Sequence, residues 1–205
     1  MSTATDEMPV TPVFGAASED IPVLDLAAYL EGEEGALETV AAELRHALEE
    51  VGFFFIVNHG VPEDLINQMY AETERFHALP EPKKTKIAVN QDHVGYMGNE
   101  GELPRTSPYS TGTLKPDVGE CFFIRCDRAP HALKVQNQWP DNLPGFRETV
   151  VDYFEGVEKL ARQILPIYAT ALDMPPDYFQ DAFSEYETES ILRAAHFPSG
   201  ELEDC

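Results

Sequence analysis

The alternation of apolar and polar residues predicts a chain of short strands and longer helices. Segment 21–26 (IPVLDL) is typical of a short strand, and segment 33–52 carries apolar residues at the three- and four-residue spacing of an amphipathic helix. The run FFFIVN that follows is almost wholly apolar, so we expect a central strand covered on both faces. Pro62 suits the first turn of a further helix, which the pattern carries to residue 79.

The second half of the chain continues the same alternation after a long polar segment. Residues 81–117 are rich in Gly, Pro, Ser, Thr and Asn and predict irregular structure, and residues 119–127 (GECFFIRCD) predict a strand. An apolar stripe at helical spacing predicts one long helix over about 144–172. We expect a short helix over 175–183 (PPDYFQDAF) and a strand over 189–198 (ESILRAAHFP).

Composition and charge limit the classes of partner. An apolar content of 43% in 205 residues can bury a core, so we expect a folded chain. Lys and Arg total 14 against 37 Asp and Glu, a net charge of -23, which argues against binding to nucleic acid or to an anionic membrane. Three cysteines without a CxxC pair, no secretory signal and no membrane-length apolar run predict a cytoplasmic protein.

The histidines and acidic residues form no familiar catalytic motif. None of the six histidines is followed two positions later by Asp or Glu, the pair that usually supplies two ligands of a non-haem Fe(II) site. HExxH, GxSxG, P-loop and GxGxxG motifs are also absent from the sequence. Two Glu-x-x-His pairs, Glu43 with His46 and Glu74 with His77, could serve a di-iron bundle. We favour the interpretation that they are charged groups on helix surfaces.

His59 lies in the most informative stretch, VGFFFIVNHGVPEDLI, between a predicted strand and a predicted helix. One interpretation makes it a metal ligand or a base at the end of the strand. The other makes it a turn residue whose ring binds backbone groups at the strand-to-helix junction. No second ligand is close in the sequence, so we favour the structural role.

Seven segments in order carry a family resemblance: IPVLDL, VGFFFIVNHGVP, FHALPEPKKTK, GY, WPDNLPGFRETVVDYF, ALDMPPDYF and ILRAAHFP. Together they resemble the N-terminal part of the isopenicillin N synthase-like family of Fe(II)- and 2-oxoglutarate-dependent oxygenases. The resemblance covers roughly residues 20–198. In that family the FFFIVNHGVP segment is scaffold, which agrees with the structural interpretation of His59.

The resemblance implies an α+β fold class, namely the N-terminal α/β region of a double-stranded β-helix (jelly-roll) oxygenase with the β-helix largely missing. We expect residues 1–20 to be a flexible acidic tail and residues 21–130 to be the N-terminal dioxygenase-type region. Residues 131–205 would then hold a long helix and the first strand leading into the absent catalytic β-helix.

The resemblance also implies the chemistry of the intact enzyme. Family members bind Fe(II) through a His-x-Asp pair and a later His, and bind 2-oxoglutarate through an Arg-x-Ser pair, all downstream of the strand that corresponds to LRAAHFP. Such an enzyme hydroxylates, desaturates or closes rings on a small organic substrate. Because the sequence stops at Cys205, before these motifs, we expect no catalytic residue and no metal ligand in it. We expect no cofactor bound by this chain alone and no activity alone.

Some pocket positions can be carried over by resemblance. Residues around the GY loop line the substrate pocket in several family members, which nominates His93, Tyr96 and Met97. The family often has Asn-x-Tyr in its last strand before Pro, with both side chains near 2-oxoglutarate. Ala195 and Phe197 occupy these positions and lack the polar groups. Phe197 stays a candidate for the wall of the substrate and cosubstrate pocket.

A non-catalytic product is the rival hypothesis. A truncated paralogue, or a scaffold that depends on a partner, would pair its exposed β edge with another chain. Monodispersity and Fe(II) binding by the isolated chain discriminate between this hypothesis and the oxygenase portion. Di-iron carboxylate chemistry is a third hypothesis, and it predicts metal binding that depends on the two Glu-x-x-His pairs.

Overall fold

The computed structural model describes residues 21–98, 119–126, 135–184 and 190–198, and every structural statement below refers to them. No helix in these ranges is both long enough and apolar enough to cross a membrane. The predicted acidic tail, residues 1–20, lies outside the described residues. The elements are β1 (Val23–Asp25), α1 (Ala27–Glu31), α2 (Ala36–His46), β2 (Phe55–Val57), α3 (Glu63–His77), α4 (Glu81–Lys84), β3 (Gly95–Met97), β4 (Glu120–Arg125), α5 (Phe146–Ala171) and β5 (Ile191–His196).

The first layer of the fold joins a small parallel sheet to two helices. Strand β1 pairs in parallel with β2, and Leu24 lies opposite Ile56. The inward side chains of this sheet, with those of α2 and α5, form a buried apolar cluster that includes Leu24, Leu44 and Ile167. Helix α2 continues into a π-helical turn over Ala47–Val51. The predicted first strand and the predicted amphipathic helix are therefore confirmed.

The expectation that the FFFIVN strand is central and covered on both faces is wrong. In the described part of the chain β2 pairs with β1, and the helices cover one face of this pair. Phe54 and Ile56 turn inward, whereas Phe53 and Phe55 on the other face are 71% and 58% exposed. A continuous apolar run does not show how many layers cover a strand, because coverage depends on elements elsewhere in the chain.

The second sheet is antiparallel, in the order β3-β4-β5. Alternation along β4 sends Phe122 and Ile124 to one face, where they pack with Phe76 of α3 and Phe146 of α5. We call this side the core face. Register places a second set of side chains on the opposite side, the outer face, which consists of Met97, Cys121, Phe123, Arg125, Ile191, Arg193 and Ala195, followed by Phe197.

The second half of the fold follows the predicted pattern in part. The long helix and the strands over 119–127 and 189–198 are confirmed as α5, β4 and β5. The segment 175–183 forms successive turns and not the predicted helix, because most of its side chains are exposed and no packed apolar face stabilises a short helix. The segment predicted as irregular contains α4 and β3. Its remainder, residues 99–117, lies outside the described residues.

Candidate functional site

A buried carboxylate organises the most polar part of the core face. Glu120 begins β4, and its side chain is 9% exposed. Its Oε2 atom lies 2.5 Å from the Lys84 ammonium nitrogen and 2.5 Å from the Tyr96 hydroxyl. Its Oε1 atom lies 2.9 Å from Nδ1 of His196 and 3.2 Å from Nδ1 of His77. One carboxylate therefore joins four side chains, which we call the Glu120 cluster.

Tertiary pairing brings the members of the Glu120 cluster together. His77 is the last residue of α3 and Lys84 the last residue of α4. Tyr96 lies opposite Phe122 in the β3-β4 pair, on the core face. Glu120 lies directly opposite His196 in the β4-β5 pair. The cluster therefore links two helix ends to all three strands of the second sheet.

The electrostatics of the cluster favour an ionised Glu120. Burial opposes ionisation, but hydrogen bonds from Lys84, Tyr96 and His196 outweigh it and lower the pKa of Glu120 to about 2. Burial raises the pKa of the Tyr96 phenol well above its usual value, and the hydrogen bond to Glu120 and its negative charge add to this. Lys84 also lies 3.3 Å from a carboxylate oxygen of Glu81. The buried ammonium group of Lys84 therefore contacts two carboxylates, those of Glu120 and Glu81.

His77 is held in one orientation but is incompletely satisfied. Its Nε2 atom lies 3.3 Å from the carbonyl oxygen of Ala194, and its ring centroid lies 5.2 Å from that of His196. Its Nδ1 atom is buried and has no hydrogen-bond partner, although Glu120 is close. Burial lowers the pKa of His77, and this effect outweighs the opposite effect of the Glu120 charge. The Nδ1 atom of His77 therefore faces the Glu120 carboxylate, and no hydrogen atom is well placed to form a hydrogen bond between them.

Sequence patterns do not reveal this cluster. The interpretation that places His77 on a charged helix surface is wrong, because its side chain is 2% exposed. Glu43, His46 and Glu74 are exposed as expected. His77, Glu120 and His196 offer ligand atoms within 4.8 Å of one another, and they form the one metal-type group of three such residues within the described ranges. They come from three separate elements, so no local motif could have indicated them.

The predicted pocket residues lie on different sides of the second sheet. Met97 belongs to the outer face, as does Phe197, which is 69% exposed and packs its ring against Gly119. Tyr96 belongs to the core face and is 3% exposed. His93 is exposed and precedes β3, with a positive φ of 55°. The structure therefore brings Tyr96 into the Glu120 cluster and leaves Met97 and Phe197 on the outer face.

His59 has the structural role that the sequence indicated. Its Nδ1 atom accepts a hydrogen bond from the backbone N–H of Val61 at 3.1 Å, across the turn into α3. Asn58, which precedes it, donates from its side chain to Asp25 at 2.8 Å. The turn-residue interpretation is confirmed, and the turn is tied to the end of β1.

The outer face lacks, within the described residues, the residue types of the family's iron site. The side chains on this face within the described residues are apolar groups, one thiol and two arginines, and none is a histidine or a carboxylate. The sequence contains no His-x-Asp pair. His77, Glu120 and His196 have suitable donor atoms, but they lie on the core face and none of them belongs to a His-x-Asp pair. These residues therefore do not form the iron site of the family.

Comparison with known proteins places the chain in a family. The model of the family described as "non-haem dioxygenase in morphine synthesis N-terminal" matches residues 21–142. Kihadalactone A synthase LFS of Citrus sinensis is 34% identical over 166 residues, which are 77% of this chain and 48% of that protein. The 2-oxoglutarate-Fe(II) type oxidoreductase ppzD of Metarhizium rileyi is 30% identical over 87% of this chain and 52% of its own length.

Solved structures show the same relationship. A full-length Neurospora crassa protein in complex with alpha-KG superposes with a TM-score of 0.71 at 25% identity, over 89% of this chain and 56% of that chain. JOX2 in complex with 2OG, Fe and JA superposes with a TM-score of 0.65 at 29% identity, over 84% of this chain and 46% of that chain. This chain thus spans about half the length of the relatives it matches.

These findings confirm the fold class, since the mixed helices and strands correspond to the N-terminal part of jelly-roll 2-oxoglutarate oxygenases. The matched relatives include proteins named as 2-oxoglutarate and Fe(II) oxidoreductases, which agrees with the resemblance seen in the sequence. Because the family model covers more than half of the chain, the protein belongs to the non-haem dioxygenase N-terminal family, within the isopenicillin N synthase-like Fe(II)- and 2-oxoglutarate-dependent oxygenases.

Proposed function

We propose that this chain is the N-terminal portion of an Fe(II)- and 2-oxoglutarate-dependent oxygenase that acts on a small organic substrate. The observation that carries the proposal is the superposition of 89% of the chain on about half of a protein that holds alpha-KG. By resemblance, hydroxylation, desaturation or ring closure would use iron ligands that lie downstream of the strand corresponding to LRAAHFP, and we expect none of them within these 205 residues. The role proposed for this portion is therefore to build and support one wall of the reaction pocket.

The outer face of the second sheet is the surface proposed for that wall. Met97, Ala195 and Phe197 give it apolar groups, which suit an organic substrate and exclude water. Arg193 is held across this face, because its Nε donates to Cys121 at 2.9 Å and its guanidinium lies 5.6 Å from the Phe123 ring. His93 stays a candidate for the rim of the pocket.

Tyr96 has a different proposed role from its neighbour Met97. Its hydroxyl binds Glu120 on the core face, and its backbone lies in β3 beside Met97. It would therefore act as a positioning residue: its contact with Glu120 on the core face holds β3 in place and so determines the position of Met97 on the outer face. A positioning role predicts that Tyr96→Phe changes the KM for substrate through β3, without removing a group that touches the substrate.

The test begins with the intact mass of the protein from its native source. A mass above 22.9 kDa with 2-oxoglutarate turnover in the presence of Fe(II) would support the proposal. In that protein Met97→Ala and Phe197→Ala should raise the KM for substrate about tenfold, since each removes an apolar contact of about 1.4 kcal/mol. Tyr70→Ala is the matched control, because Tyr70 is a 74% exposed aromatic residue of α3. A native mass of 22.9 kDa without turnover would contradict the proposal.

A non-catalytic scaffold is the second candidate function, favoured by one observation. Val23 and Phe55 lie opposite each other in the β1-β2 pair and are 57% and 58% exposed. An apolar sheet surface of this kind is a place where a partner chain could bind. Dimerisation or capture of a partner by a monodisperse 22.9 kDa protein would support this alternative.

The cytoplasmic location and the boundaries at residues 20 and 130 stay predictions.

A further inference from the structure

We propose that His77, Glu120 and His196 form a binding site for one divalent transition-metal ion of the zinc type, on the core face and separate from the iron of the family. Two imidazoles and one carboxylate are the donor set that zinc-type ions accept with a fourth position left to water. All three ligand atoms lie within 4.8 Å of one another. This site does not depend on the oxygenase function proposed above.

The hydrogen-bond pattern of His77 frees its Nδ1 atom as a ligand. Its Nε2 faces the carbonyl oxygen of Ala194 at 3.3 Å, and a carbonyl can only accept, so the ring proton belongs on Nε2. The Nδ1 atom then carries a lone pair and points at another acceptor, Oε1 of Glu120, at 3.2 Å. A buried lone pair without a donor needs a cation or a proton between the two atoms. A metal ion would bind both acceptors, the Nδ1 atom of His77 and the Oε1 atom of Glu120.

Two of the three separations among the ligand atoms are close to those around one ion, and the two Nδ1 atoms lie within 4.8 Å of each other. Donors about 2.1 Å from a zinc-type ion lie roughly 3.0 to 3.4 Å apart at angles between octahedral and tetrahedral. The Glu120 oxygen lies 2.9 Å from Nδ1 of His196 and 3.2 Å from Nδ1 of His77. Small shifts of the side chains would therefore suffice to admit the ion.

Neighbouring groups hydrogen-bond to the proposed ligands and orient them, as the groups around the ligands do in known metal sites. The Ala194 carbonyl fixes His77, while Lys84 and Tyr96 hold Oε2 of Glu120 and turn Oε1 toward the histidines. The side chain of His196 is 45% exposed, which gives the ion a path from solvent and a place for a water ligand. The Lys84 charge opposes the cation, so the affinity should lie below that of a closed structural site.

The test is a Co²⁺ titration of the full 205-residue chain, purified without a histidine tag and stripped with a chelator. Co²⁺ reports its coordination in its visible absorption, and Zn²⁺ should displace it with a stoichiometry of one. His196→Gln should weaken binding on the order of 100-fold, since it removes a direct ligand. His93→Gln is the matched control, because His93 is an exposed histidine outside the cluster, and it should bind as the parent chain does.

A second measurement keeps the proposal testable if a variant unfolds. Zn²⁺ added to the unaltered chain, labelled with ¹⁵N, should move the imidazole Nδ1 resonances of His77 and His196 and leave that of His59 in place. Absence of Co²⁺ absorption, equal binding by His196→Gln, or unmoved resonances of both histidines would overturn the proposal. The cluster would then be a hydrogen-bonded ion pair alone. None of these outcomes bears on 2-oxoglutarate turnover by the native protein.

Discussion

The ammonium nitrogen of Lys84 lies 2.5 Å from Oε2 of Glu120, and both side chains are more than nine-tenths buried. This contact joins the end of α4 to the start of β4. We expect Lys84→Met to lower the free energy of unfolding by about 3 to 5 kcal/mol, because removal of one partner leaves an uncompensated buried charge. Urea denaturation of the metal-free chain at neutral pH measures the loss.

The double variant Lys84→Met, Glu120→Gln is the control for that prediction. It removes both charges and keeps an amide that can accept from Tyr96, so it should recover a large part of the stability lost in the single variant. A single variant that is as stable as the unaltered chain would show that the buried pair contributes nothing. A double variant no better than the single one would show that packing, and not charge, is lost.

Among the glycines in the described part of the chain, Gly95 is the position where a methyl group should lower stability most. Its φ is +112°, and a Cβ atom there would collide with the carbonyl oxygen of Ile87 and lie 2.7 Å from the amide nitrogen of Gln138. Strain and overpacking contribute roughly 1 to 3 kcal/mol each, so Gly95→Ala should lower the free energy of unfolding by about 3 kcal/mol.

Gly35→Ala provides the comparison for Gly95→Ala. Gly35 has a φ of +80° but open space around its missing side chain. The loss there should be limited to backbone strain, about 1 to 2 kcal/mol. Urea denaturation compares the two variants, and equal losses would mean that the close contacts at Gly95 are not what makes it sensitive.

The turn into α3 depends on the ring of His59. Because Nδ1 accepts the backbone N–H of Val61 at 3.1 Å, His59→Ala should lower the free energy of unfolding by about 1 kcal/mol. His59→Asn, whose side-chain oxygen can accept the same N–H, should recover part of it. Thermal and urea unfolding measure both. A metal-binding role for His59 would instead appear as weaker Co²⁺ binding with unchanged stability.

Acid should remove the contribution of Asp25. The backbone N–H of Ala27 and then the Asn58 side chain donate to its carboxylate and lower its pKa from the usual 3.8. With the lower pKa in the folded state, the stabilisation is complete well above pH 3.8 and disappears as the pH falls through the folded-state value.

Asp25→Asn isolates this effect. Urea denaturation at several pH values should show a constant stability gap between the parent chain and the variant above about pH 5. The gap should narrow at lower pH as the carboxylate of the parent chain is protonated. A gap that does not change with pH would mean that the ionised form of Asp25 does not stabilise the turn.

The elements β1, α2, β2, α3, β4, α5 and β5, in that order, and the role of His59 followed from the sequence by itself. The stripes of α2 and α5 repeat at helical spacing, and the His59 hydrogen bond spans two positions. Such features depend on neighbours in the chain, so local physics predicts them. The family resemblance has a different basis, since it rests on seven sequence segments that are similar to those of a known family and occur in the same order.

Tertiary structure decided what surrounds those elements. Glu120 meets His196 across 76 positions only because β4 pairs with β5, and His77 joins them because α3 ends over that sheet. The same register sends Tyr96 to the core face and Met97 to the outer face. The outward face of β2 is exposed because, within the described residues, the helices pack against only one face of the β1-β2 pair. Burial and contact depend on which layers meet, and no periodicity within one segment contains that information.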